Sequence, residues 1–115
     1  MTLVNLTHQP LAYLKGYAEA LAEVAELDDK VASTEGALSQ CLDLAHDARQ
    51  IYGFAPSADI REEGMGQAQA FSECAEAYRQ LGEIYGWAST PGLGDFLSWR
   101  HSLAQGLIDK ASVPK

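Results

Sequence analysis

A carboxylate three residues before an imidazole is a spacing that di-iron helix bundles use, because both side chains then leave the same helix face. Asp43 and His46 have that spacing. Such a centre needs a second acid-x-x-His and further inward carboxylates, and no other histidine follows an acid in this way. His46 also falls off the apolar stripe of its segment, which predicts a solvated position. Cys41 and Cys74 raise thiol chemistry. They sit 33 residues apart, with no CxxC pairing and no cation placed beside both to favour the thiolate, so they are expected as two small buried hydrophobes. Asp95, His101 and Ser102 supply the residue types of a hydrolytic triad. Within seven residues of one helix they cannot point at one another in triad order, and no nucleophile elbow accompanies them. Gly92-Leu93-Gly94 lacks the glycine spacing that cradles phosphates. The sequence therefore predicts no catalytic residue, no metal ligand and no cofactor.

The charge distribution points to binding. Sixteen acids face eight bases, a net of −8. Residues 1–48 carry eight of the acids against Lys15 and Lys30 alone. Nucleic-acid and anionic-membrane affinity come mostly from Lys and Arg, so neither is expected as a direct partner, whereas a basic protein surface is attracted. Glu19, Glu23 and Glu26 follow one helix flank, with Asp28 and Asp29 at its end. Like charges at i and i+4 cost an isolated helix a few tenths of a kcal/mol per pair, about the size of the gain from an opposite-charge pair. A solvated face accounts for such a run, and so does complementarity to a basic groove. Trp87 and Trp99 are the large rings that either pack a core or form a hot spot.

The elements that carry these residues are helical. Apolar side chains recur with a period near 3.6 from Leu11 to Val31, and again from Leu38 to Tyr52. Ser33-Thr34 followed by Gly36 is a stop and restart, so two helices are expected there. Pro56 enforces a turn. Gly64 and Gly66 weaken a short helical piece after Ser57, and a clear stripe follows from Gln67 to Tyr85. Pro91, Gly92 and Gly94 make a loop, and Asp95 caps a last helix. The expectation is an all-α bundle of four main helices over roughly 10–32, 36–53, 58/67–86 and 95–110. At the first helix, Pro10 suits the first helical position, with Thr7 or His8 as cap.

One segment occurs twice. Residues 39–55 and 72–88 are identical at six of seventeen positions, each ending in aromatic-Gly-aromatic, Tyr52-Gly53-Phe54 and Tyr85-Gly86-Trp87. A left-handed glycine with a ring folding back onto the last turn explains such an ending. The 33-residue offset suggests equivalent helices that run parallel, as in helical repeat proteins. Tyr78, Leu81, Gly82 and Tyr85 are spaced like the first helix of a tetratricopeptide repeat, but Ala45, Ala48, Arg49 and Tyr52 lack its glycine, so the likeness is one of geometry.

At 115 residues, 47% apolar and 21% charged, the chain is expected to be one folded domain over 1–115. Met1 to His8 lacks the charge and apolar run of a secretory signal, and the unpaired cysteines suit a reducing compartment, so the cytoplasm is expected. The function these features predict is a non-enzymatic protein–protein interaction, with an inhibitor or regulator docking Glu19, Glu23, Glu26, Asp28, Asp29, Trp87 and Trp99 on a basic partner. Its size and charge are those of small acidic phage or mobile-element inhibitors of nucleic-acid-processing enzymes. The alternatives are a scaffold or secretion adaptor acting as a homodimer, and a small-ligand bundle with a pocket near Trp87 and Trp99.

Overall fold

The computed structural model describes residues 2–112. They form four helices, α1 (Leu11–Lys30), α2 (Thr34–Tyr52), α3 (Ala58–Tyr85) and α4 (Gly94–Ser112), and no strand. The order of packing is a row rather than a closed square. α3 lies between α2 and α1, α4 packs on the far side of α1, and α1 and α2 barely touch. Tyr13 meets Gly66 at one end of the α1–α3 seam and Asp28 meets Tyr78 at the other, so α1 and α3 run parallel. α2 returns along α3 and α4 along α1.

Caps fix the starts. Pro10 is itself the N-cap of α1, its carbonyl accepting from the Leu14 N–H at 3.1 Å with no side-chain cap, so neither Thr7 nor His8 caps this helix. Ser33 caps α2 by accepting from the Gly36 N–H at 3.1 Å, and Ser57 caps α3 through the Ile60 N–H. The remaining early N–H groups of α2 would be orphans. Here the α3–α4 loop supplies their acceptors: the Thr34 and Glu35 amides donate to the Ser89 and Trp87 carbonyls at 2.8 and 3.0 Å.

Two further expectations are corrected. α3 is one unbroken helix of 28 residues, not a weak turn followed by a helix. Gly64 and Gly66 look like breakers locally, yet both are buried where neighbours come too near for a side chain. A Cβ on Gly64 would overlap the Tyr52 side chain, and one on Gly66 would overlap the Tyr13 carbonyl. Across the same seam, a Cβ on Gly16 would overlap the Glu63 backbone. The packing gained by close approach outweighs a propensity cost of about 1 kcal/mol per glycine. The second correction is to the doubled segment. Its copies belong to α2 and α3, which form an antiparallel hairpin with Arg49 donating to Ser72 at 2.9 Å, so they are not parallel repeat helices. Their endings differ too. Gly86 has φ +94° and Trp87 folds back against Gly82, whereas Gly53 is right-handed at φ −61° and Phe54 points away, 88% exposed.

The core is built from many alanines with a few large side chains. Tyr17 and Tyr78 are the largest fully buried ones, beside Leu6, Leu21, Val24, Cys41 and Cys74. A buried phenol hydroxyl left unpaired costs a few kcal/mol, so each tyrosine demands a polar partner inside the bundle.

Candidate functional site

The two tyrosines meet that demand differently. Tyr17 on α1 donates to Oε1 of Glu73 on α3, and Arg100 on α4 donates through Nε to the Tyr17 hydroxyl at 2.8 Å. The Arg100 guanidinium lies 3.7 Å from Glu73 and also donates to the Val4 carbonyl at 2.8 Å. The second oxygen of Glu73 accepts from the Val4 N–H at 3.0 Å and from Gln69 at 2.8 Å. Glu73 and Arg100 are both fully buried, and Arg100 stacks over the Tyr17 ring. Burial first, then the bond to Glu73, pushes the Tyr17 phenol well above its usual range. This cluster fastens the N-terminal arm, α1, α3 and α4 together.

Sequence reasoning missed Glu73 and Arg100. A signal was present: Glu73 falls between Ala70 and Ala77 on the buried stripe of α3, and Arg100 between Leu97 and Ala104 on that of α4. Opposite charges on two facing apolar stripes mark an internal ion pair, since an isolated charge there would be prohibitive. The cluster is sealed, with every buried polar side-chain atom among the described residues partnered. It is structural.

Tyr78 donates to Asp28 at 2.6 Å, and Asp28 also accepts from the Leu93 N–H at 3.2 and 3.3 Å. Burial, then the Asp28 bond, raises the Tyr78 phenol. Of the carboxylates expected to face a partner, Asp28 is thus half-buried and engaged within the chain. Glu19, Glu23, Glu26 and Asp29 are exposed. Glu19 accepts from Gln67 at 3.3 Å and lies beside Glu63, whose carboxyl it pushes up by offering a hydrogen bond to the protonated form. Glu23 and Glu26 are joined by Asp43 of α2 around an open groove of about 340 Å³, with Leu27 and Leu44 beneath and Lys30 as its one cation. No ion pair among the described residues engages Glu19, Glu23, Glu26, Asp29 or Asp43.

The aromatic residues do not join this surface as one patch. Trp87 is 38% exposed and spends one ring face on Gly82 beyond the end of α3. Trp99, 54% exposed, lies on α4 at the height of Tyr17, edge-on to Phe96 with Arg100 5.4 Å from its ring. His46 is exposed, and no group of three potential metal ligands exists among the described residues. Cys41 and Cys74 are fully buried free thiols. Burial, followed by the Asp28 and Glu23 charges, pushes Cys41 up to about 12, so it is protonated and inert at neutral pH. No helix of the described residues is long and apolar enough to cross a membrane. No protein-family model matches the sequence, and comparison with curated proteins and with solved structures finds no similar chain.

Proposed function

We propose that the protein is a small non-enzymatic binding protein that docks the outward carboxylates of α1 on a basic surface of another protein. The observation that supports this reading is the α1–α2 groove, where Glu23, Glu26 and Asp43 converge over Leu27 and Leu44 with a single lysine among them. Uncompensated carboxylates above an apolar floor offer charge for steering and apolar area for residence. A partner surface that normally holds nucleic acid has the matching chemistry, and covering it would inhibit that partner. Glu19 and Asp29 extend the charged flank. Trp87 and Trp99 lie outside it and would serve only a partner that wraps the bundle.

The test is capture of partners from the cytoplasm of the producing cell on immobilised protein. A partner held by the wild-type chain should elute steeply between low and moderate salt. It should be lost on the Glu19→Gln/Glu23→Gln/Glu26→Gln variant while that variant keeps its helical circular dichroism. Partners that are retained equally by both baits, or that ignore salt, would overturn the reading.

A second reading, a homodimeric scaffold, draws support from exposed Leu42 and Ile51 on α2, an edge helix of the row. It requires a dimer in sedimentation at micromolar concentration, and a monomer removes it.

A further inference from the structure

Toward the C-terminal end of α2, beyond the acidic groove, residues of α2, α3 and α1 line an open cavity of about 350 Å³. Its floor is apolar, formed by the buried Ala48, Gly64 and Ala68 with the exposed Met65 beside them, while Arg49, Arg61 and Tyr13 bring polar groups to it. Three features set this cavity apart. First, it gathers two of the four arginines of a chain that carries twice as many acids as bases. Neither has a carboxylate within ion-pair distance among the described residues, whereas Arg79 and Arg100 are both paired with glutamates. Second, each arginine is held by a bond that leaves most of its N–H donors free. Arg49 donates to the Ser72 hydroxyl at 2.9 Å and Arg61 to the Ala55 carbonyl at 2.5 Å. Third, Tyr13 is 6% exposed, yet its hydroxyl makes no hydrogen bond, unlike those of Tyr17 and Tyr78. Because every fully enclosed polar side-chain atom among the described residues is partnered, that hydroxyl keeps some contact with solvent, and Tyr13 is one of the residues that line this cavity.

We propose that the cavity is a binding site for a small organic monocarboxylate with an apolar body. Arg49 and Arg61 would clasp the carboxylate, the Tyr13 hydroxyl would donate to it, and the floor would take the apolar part. The planar fork of arginine suits a carboxylate, and charge-assisted hydrogen bonds are about twice as strong as neutral ones. The volume falls in the range of small-molecule sites, about 300–1,000 Å³, which pair apolar walls with a few convergent polar groups. Burial, then the charges of Glu73 and Glu62, holds the Tyr13 phenol up at about 12, so it remains a donor at neutral pH. Of those two carboxylates, Glu73 is already compensated by Arg100. Gly53 lines the same cavity and Phe54 follows it, fully extended into solvent, as a ring at hand to cover a bound apolar tail. This site does not depend on the acidic groove, which lies on other residues.

The experiment titrates octanoate into the whole protein by calorimetry, with octan-1-ol as the uncharged match and acetate as the match without a tail. Saturable one-to-one binding of octanoate is expected, with both matches at least about tenfold weaker. Arg61→Gln and Arg49→Gln should each weaken octanoate about tenfold or more, and Tyr13→Phe severalfold, all with unchanged helical content. Should Arg49→Gln lose its fold with the Ser72 bond, Arg61→Gln and Tyr13→Phe carry the test alone. In amide spectra Gly53 and Gly64 should move on saturation while Gly92 and Gly106 stay still. The proposal falls if octanoate does not saturate, if octan-1-ol binds equally, if the arginine variants bind like wild type, or if the shifts gather elsewhere. A short apolar peptide with a free C-terminal carboxylate that outcompetes octanoate would overturn the assignment to a small molecule.

Discussion

The Tyr17–Glu73–Arg100 cluster and the Tyr78–Asp28 pair solve one problem in two settings. In each, a large phenol fills space that alanines leave in the core, and a carboxylate from a neighbouring helix accepts its hydrogen bond. At Glu73, where solvent is excluded, the carboxylate is surrounded by Arg100, Gln69 and the Val4 N–H. At Asp28, which keeps some exposure, one further backbone donor from Leu93 is enough. Water does for Asp28 what Arg100 must do for Glu73. A buried carboxylate without a cation would carry a desolvation cost of several kcal/mol, while a half-buried one keeps part of its hydration.

Arg100→Leu breaks the comparison hardest, because it leaves Glu73 buried and uncompensated. The loss of stability in denaturant unfolding should be about 3–5 kcal/mol. Adding Glu73→Leu to that variant should restore part of it by removing the lone charge, although the Tyr17 hydroxyl and the Val4 backbone groups then lose their partners. Purely additive losses would mean that the two charges are not coupled.

At the half-buried pair, Asp28→Ala strands the Tyr78 hydroxyl but no ion. Urea unfolding should show a loss of about 1–3 kcal/mol, clearly less than Arg100→Leu. Equal losses would erase the distinction between the two sites. The same variant separates Asp28 from the partner-facing carboxylates: its effect should appear in stability, and that of Glu23→Gln in salt-dependent capture.

The smallest effect belongs to two acids, Glu19 and Glu63, whose mutual influence the nearby Lys15 offsets only in part. The folded pKa of Glu63 is raised, chiefly by the hydrogen bond to Glu19, so the folded state binds the proton more tightly than the unfolded chain. Stability from this group is therefore present below the unfolded value and is lost as pH rises through the raised one. Glu63→Gln should flatten that decline in a pH series of melting temperatures, and an unchanged slope would show that the two carboxylates ignore each other.

The helices were legible because periodicity and capping residues are local signals. Leu11 to Val31 declares one face, and Ser33 and Ser57 each accept the early N–H that a cap should. What was not legible depends on partners far along the chain. Gly64 and Gly66 are read as breakers until Tyr52 and Tyr13 are seen against them. Gly53 and Gly86 share their neighbours in sequence, yet only Gly86 adopts the positive φ that its type allows. Glu73 and Arg100 each stand on the apolar stripe of their own helix, but that the two charges meet depends on α3 and α4 coming together around Tyr17. The acids of the groove and the arginines of the cavity were visible as residue types, but their convergence was not, because it joins α1 to α2 in one case and three helices in the other.

The carbonyls of Trp87 and Ser89 that receive the first amides of α2 also set a clock. In most helices the leading N–H groups trade their hydrogens with solvent almost at once. Here the Thr34 and Glu35 amides can do so only when the segment after Gly86 lifts away. Deuterium uptake at two positions of α2 thus times the opening of a loop more than fifty residues downstream, and a Gly86→Ala chain, strained at φ +94°, should run that clock faster.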